Sequence, residues 1–251
     1  MLKHQYPFSQ YIGGINLFEI FLIDVADYLE RKSRKIKKTI QIKRKEWFVN
    51  KFELIEIKQS EKKDLRFNPY EGTNLFLIDK LVQEDVITKE DKFIDIGCGT
   101  GMVILYLSYL GFDDLIGIEC DKELYDICVD NVTKYKTKYN NVTNISVYNE
   151  NALDFSYDKE CTCFYLFNTF YDKDTYLKWI EKIEQSVIEK PRKIKIILLY
   201  PTVASMGAMR TKKWIKEKKR ILCKAQYCYN CMHYIIYEGG ENIEDIDDFD
   251  Y

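Results

Sequence analysis

Apolar residues recur at helical spacing over residues 15–35, where Phe18, Phe21, Leu22, Val25 and Leu29 share a face and Glu19, Asp24 and Asp27 interleave. Residues 46–58 partly alternate between apolar and polar, which predicts a strand or two. After the loop Asn68-Pro69-Tyr70-Glu71-Gly72, residues 73–85 are predicted helical, with Thr73 as the cap. From there short apolar strands at 92–97, 114–119, 143–148, 161–168 and 193–200 alternate with helices at 101–110, 122–138 and 172–188. That rhythm predicts a parallel sheet with helices on both faces. The run Lys195-Ile196-Ile197-Leu198-Leu199-Tyr200 is apolar on both sides, as a fully buried parallel strand should be. A helix near 207–219 and two apolar segments at 221–228 and 233–238 complete the pattern.

Composition bounds this picture. The chain has 251 residues, enough for one large domain with a modest extension and a sizeable core. Its net charge of −2 does not mark a nucleic-acid binder, whose domain is more often strongly basic. The charge is unevenly spread: residues 31–45 hold nine Lys or Arg and no acid, and residues 241–251 hold six acids and no base. The basic run has no interleaved aromatics for base stacking, so a solvated lysine-rich face is the better reading. No signal-peptide pattern opens the chain, and no stretch reaches the ~18 uncharged apolar residues of a membrane span. A cytoplasmic, reducing location with free thiols is therefore expected.

The strongest chemical signal is Phe93-Ile94-Asp95-Ile96-Gly97-Cys98-Gly99-Thr100-Gly101, which runs from an apolar strand into the apolar helix that starts at Met102. Glycines let a backbone turn sharply and approach a ligand closely, and a helix N-terminus offers free N–H groups. The dinucleotide fingerprint Gly-x-Gly-x-x-Gly is not met, because Met102 takes its third glycine position. The Gly-Lys-Ser/Thr ending of a phosphate-binding loop is absent too. The next strand, Leu115-Ile116-Gly117-Ile118-Glu119, ends in an acid whose two oxygens match the two hydroxyls of a ribose.

Asp-x-Gly-x-Gly-x-Gly closing the first strand resembles the first motif of class I S-adenosylmethionine (SAM)-dependent methyltransferases, and the likeness covers roughly residues 68–200. It implies a Rossmann-like α/β fold, a seven-stranded, mostly parallel sheet flanked by helices. It also implies SAM as cofactor, with S-adenosylhomocysteine as product. Residues 1–67 are then a helical and mixed N-terminal extension, 68–238 the methyltransferase domain, and 239–251 an acidic tail without fixed structure. By the same resemblance Asp95, Gly97, Cys98, Gly99 and Gly101 form the cofactor loop and Glu119 is the ribose acid, with Cys120 beside it. Asn151, with Ala152, falls where the family accepts from the adenine amino group, and Tyr70 and Thr73 fall in a segment that closes over the methionine end.

After the fourth strand, Asn168-Thr169-Phe170 is similar to the fourth motif of amino-methylating members, with Thr169 in place of proline and a shorter spacing than the adenine-specific pattern. Asn168 would aim an acceptor amine and Phe170 would face it. The expected reaction is methyl transfer to a nitrogen of a polar small molecule, sugar or peptide. The alternatives are a nucleic-acid or protein-side-chain methyltransferase docking through the basic extension, and a non-catalytic interaction module. No membrane partner is expected, and the oligomeric state is open. The histidines, His4 and His233, lie outside the motifs. Cys223, Cys228, Cys231 and His233 have zinc-like spacing, but their flanks read as strands joined by a hairpin, so no metal is expected.

Overall fold

The computed structural model describes residues 17–57, 70–139, 143–157, 160–223 and 232–240. The chain divides into two compact units, Met1–Lys43 and Arg44–Tyr251. What is described of the first unit is helical, part of the long helix α1 (Leu17–Phe52). The basic run is thus helical, and residues 46–52, expected as strand, are the last turns of α1. Phe48 and Phe52 are one turn apart and pack edge-to-face at 5.2 Å, so helical period wins over the short alternation.

In the second unit those aromatics, with Leu54, are buried in the same core as the helices that follow. Residues assigned from sequence to the extension therefore build part of this unit. Asp79 secures them, accepting from the Arg44 guanidinium at 2.5 Å and from the Tyr106 hydroxyl at 2.7 Å.

The elements then run α2 (Leu75–Gln83), β1 (Phe93–Ile96), α3 (Met102–Tyr109), β2 (Leu115–Glu119), α4 (Lys122–Lys138), β3 (Ile145–Asn149), β4 (Cys163–Phe167), α5 (Lys173–Glu189), β5 (Ile194–Leu199), α6 (Val203–Met209), β6 (Ile215–Cys223) and β7 (Met232–Gly239). They form one seven-stranded sheet in the order β3-β2-β1-β4-β5-β7-β6, with β1 to β5 parallel and β7 antiparallel to both neighbours. Period-two alternation divides the core. Phe93, Leu115, Tyr165 and Ile197 face α2, α3 and α4, whereas Ile94, Ile116, Phe164 and Ile196 face α5 and α6. Each neighbour of β1 starts a crossover on its own side, so the carboxyl end of β1 opens into the crevice where strand order reverses.

Two expectations change. The cap of α2 is Asn74, whose side chain accepts from Phe76 N at 3.1 Å; Thr73 lies one residue outside. The helix expected at 207–219 is instead the short α6 followed by β6. β6 is an edge strand, exposed from Lys216 to Arg220 and bulged between Glu217 and Lys219. Charge and a bulge protect a sheet edge from further pairing, and they also erase the strand signal. No helix among the described residues is long and apolar enough to cross a membrane. Residues 241–251 lie outside the described residues, as do Cys228, Cys231 and the side chains of Cys223 and His233. Among the described residues no cluster of metal-ligating side chains occurs.

Candidate active site

The β1–α3 turn needs its glycines. Gly97, Gly99 and Gly101 all have positive φ, at 79°, 54° and 83°. A Cβ on Gly99 would lie 2.1 Å from Cε2 of Tyr70, so the edge of the Tyr70 ring lies against this loop. The Tyr70 hydroxyl is 2.9 Å from Thr100 Oγ1, which fixes the ring there.

Glu119, at the end of β2, is buried and is bound to the same loop. One carboxylate oxygen accepts from Gly99 N at 2.8 Å and the other from Asp121 N at 2.9 Å. Burial raises its pKa, while these two N–H groups oppose the rise. Each oxygen keeps a lone pair after these bonds. Asp121 caps α4 by accepting from Glu123 N and Leu124 N, which sets the turn after Glu119.

These residues surround a cavity of about 330 Å³, within the range of small-ligand sites. Tyr70, Thr73, Asp95, Gly97, Cys98, Glu119, Cys120, Asn151, Ala152, Asn168 and Phe170 all line it. Gly99 and Gly101 stand behind the lining and shape it through the backbone. Asn168 follows β4 with φ 51°, a left-handed conformation uncommon outside glycine and tolerated by asparagine. Phe170 is buried among Tyr176 and Trp179, so it forms a wall of the cavity anchored in the core. Asn151 is exposed at the rim, with its Oδ1 accepting from Leu153 N at 2.9 Å and a second lone pair remaining.

Three contributors are not among the candidate site residues predicted from sequence. Asn131 of α4 is fully buried; its amide donates to Ile55 O and Thr100 O at 2.9 Å and its Oδ1 accepts from Ile55 N. It thereby ties the segment after α1 to the glycine loop. Thr169, where the family pattern has proline, donates to Ile96 O at 2.7 Å and sits 3.3 Å from where a Gly97 Cβ would be. Phe167 lines the cavity and stacks on Tyr200 at 5.7 Å. An asparagine in a helix gives no sign of such contacts until the chain returns to it.

Asp95 is buried on β1, and its pKa rises to about 8, chiefly from burial and then from the charge of Glu119. The unfolded carboxyl titrates near 4. Below that pH both states are protonated and the Asp95 contribution is fully present. As pH rises toward 8 the unfolded chain ionises while the folded one does not, so stability is lost across that window. Asp95→Asn should flatten the loss. Urea unfolding at pH 5 and pH 8 checks it, and an unchanged difference between the two pH values in the variant would remove Asp95 as the cause.

The lining contains Glu71, Asp95, Glu119, Asp121 and Glu150, and among the described residues no Lys, Arg or His. Such a cavity attracts cations and repels anions. SAM, a sulfonium with a ribose and an ammonium group, suits this donor and acceptor set.

The family described as "Tellurite resistance protein TehB" matches residues 59–189, just over half of the chain. No curated protein matches it. Among solved structures, a putative RNA methyltransferase, PH1948 from Pyrococcus horikoshii, is 13% identical, with 78% of this chain and 97% of that one covered at a TM-score of 0.51. Magnesium protoporphyrin IX methyltransferase (ChlM) from Synechocystis PCC 6803, solved with bound SAM, is 9% identical, with 65% and 76% covered at a TM-score of 0.50. At such identity these likenesses speak for the fold. The motif match and the fold agree with the family match: the chain belongs to the TehB family of class I SAM-dependent methyltransferases.

Proposed function

We propose that this methyltransferase acts on a nitrogen of a polar, uncharged or cationic small-molecule acceptor, an amine of a metabolite, sugar or peptide. The observation that carries this reading is the cavity lined by five carboxyl groups and no described base. A phosphodiester or an oxyanion would find carboxyl groups and no described cation to pair with, whereas an amine would find hydrogen-bond acceptors. The tellurium oxyanion in the family's description is disfavoured for this chain on the same ground.

In this reading Glu119 takes the ribose hydroxyls with its remaining lone pairs. Asn151, Ala152 and Cys120 border the adenine side, and the glycine loop with Asp95, Tyr70 and Thr73 holds the methionine end. SAM, when bound, supplies a methyl group on a positively charged sulfur. The protein supplies orientation and electrostatics. Asn168 accepts a hydrogen from the acceptor nitrogen and turns its lone pair toward the methyl group. Phe170 and Phe167 wall off the acceptor side and limit water. The nitrogen attacks as its free amine: an acceptor that arrives uncharged needs no strong base on the enzyme, and one that arrives as an ammonium first releases its proton to water.

The test is a panel of acceptors incubated with methyl-labelled SAM: amines, aminosugars and short peptides, with tellurite and transfer RNA as the opposing arms. Label is expected in the amine class and absent from the other two; label in tellurite or RNA alone overturns the reading. With an acceptor found, Asn168→Ala should lower kcat about a hundredfold, the scale of a lost orienting contact. SAM affinity should be unchanged. Wild-type turnover in that variant would remove Asn168 from its role.

A further inference from the structure

The part of α1 in the first unit presents an apolar stripe that none of the described residues buries. None of the described side chains from 21 to 43 is buried. Phe21, Leu22, Val25, Leu29, Ile36 and Ile40 are all exposed, by 37–60%. At 100° per residue the six fall within one strip about 100° wide. A helical stretch of this length with no buried side chain among those described draws little stability from packing, because most helical stability in proteins comes from an amphipathic face laid on a partner. An exposed, largely apolar strip of this length marks an interaction surface.

The charge pattern says what the partner is. Residues 19–30 carry Glu19, Asp24, Asp27 and Glu30 and no base, whereas residues 31–43 carry seven Lys or Arg and no acid. The apolar strip runs through both halves. An anionic membrane or a nucleic acid would gain from the second half and be repelled by the first. A second copy laid antiparallel satisfies both, because each acidic half then meets a basic half. A twofold axis between Glu30 and Arg31 brings residue i opposite residue 61 − i. That pairing sets Phe21 against Ile40 and Val25 against Ile36. On one flank of the strip Asp24 and Lys35 share a side, two residues from exact opposition. Lys32 falls within the strip opposite Leu29, where its aliphatic stem can lie on the leucine while the ammonium reaches water.

We propose that α1 is a homodimerisation element, pairing antiparallel with α1 of a second copy of this chain through residues 21–40. The inference is independent of the acceptor.

Light scattering and sedimentation of the full chain over a concentration series test it. The wild type should be a dimer at low salt whose dissociation constant rises with ionic strength. Val25→Asp with Ile36→Asp should give a monomer. Asp24→Lys should raise the dissociation constant severalfold or more. Adding Lys35→Glu to that variant should restore dimerisation, an outcome that misfolding cannot mimic. SAM binding by titration calorimetry should persist in every variant. A monomeric wild type overturns the proposal, as does a dimer that survives the two apartates in the strip. A monomer that floats with phosphatidylserine vesicles overturns it in favour of a membrane surface.

Discussion

Gly99→Ala is expected to weaken SAM binding by about a hundredfold or more. Two independent costs combine. The residue has φ 54°, where an L-side chain loses roughly 1–2 kcal/mol. The new Cβ would also lie 2.1 Å from Cε2 and 2.6 Å from Cδ2 of Tyr70, far inside contact distance. The rigid ring must swing away and give up its hydrogen bond to Thr100. Either the loop or the tyrosine leaves its place, and both border the proposed cofactor site. The backbone N–H of Gly99 also donates to Glu119, so a shift of the loop would disturb the proposed ribose acid. Calorimetric titration with SAM and S-adenosylhomocysteine measures the loss. Gly99→Ala with Tyr70→Ala removes the collision but leaves the backbone strain, so it should regain part of the stability lost in the single variant. Wild-type affinity in Gly99→Ala would show that the loop does not hold the cofactor.

Glu119→Gln is expected to be nearly as damaging, although it keeps the size of the side chain. The carboxylate offers acceptors on both oxygens, and two backbone N–H groups use them. An amide offers one oxygen and one NH₂, so one N–H must face another donor. A buried donor without a partner costs about 1–3 kcal/mol. For a domain of 150–250 residues that is a fall of roughly 2–4 °C in Tm per kcal/mol. The same NH₂ cannot accept from a ribose hydroxyl, so SAM affinity should fall about tenfold to a hundredfold beyond the stability loss, at ~1.4 kcal/mol per tenfold. Differential scanning fluorimetry with and without SAM separates the two effects. A variant that loses Tm but keeps the ligand-induced shift would assign Glu119 to holding the loop alone. Glu119→Asp keeps both oxygens but shortens the reach, so an intermediate result is expected.

The sequence determined the alternation of strands and helices from β1 to β5, because their apolar runs are continuous and their caps are local. Asp121 before α4 and the three glycines before α3 are examples: each acts through its own backbone or the next turn. Even Glu119 was legible, since its distance from the glycine loop follows from one strand–helix–strand unit. Legibility ended where a residue's partner is remote in the chain. Asn131 meets Ile55 and Thr100 only after the sheet forms, and Thr169 meets Ile96 only because β4 lies beside β1. The edge strand β6 was hidden because its exposed lysines and bulge serve the sheet's boundary, which no local pattern encodes. The last turns of α1 read as strand until tertiary packing showed Phe48 and Phe52 sharing a buried face. Propensity and period act over a few residues, whereas burial and hydrogen-bond pairing are decided by what the rest of the chain brings alongside.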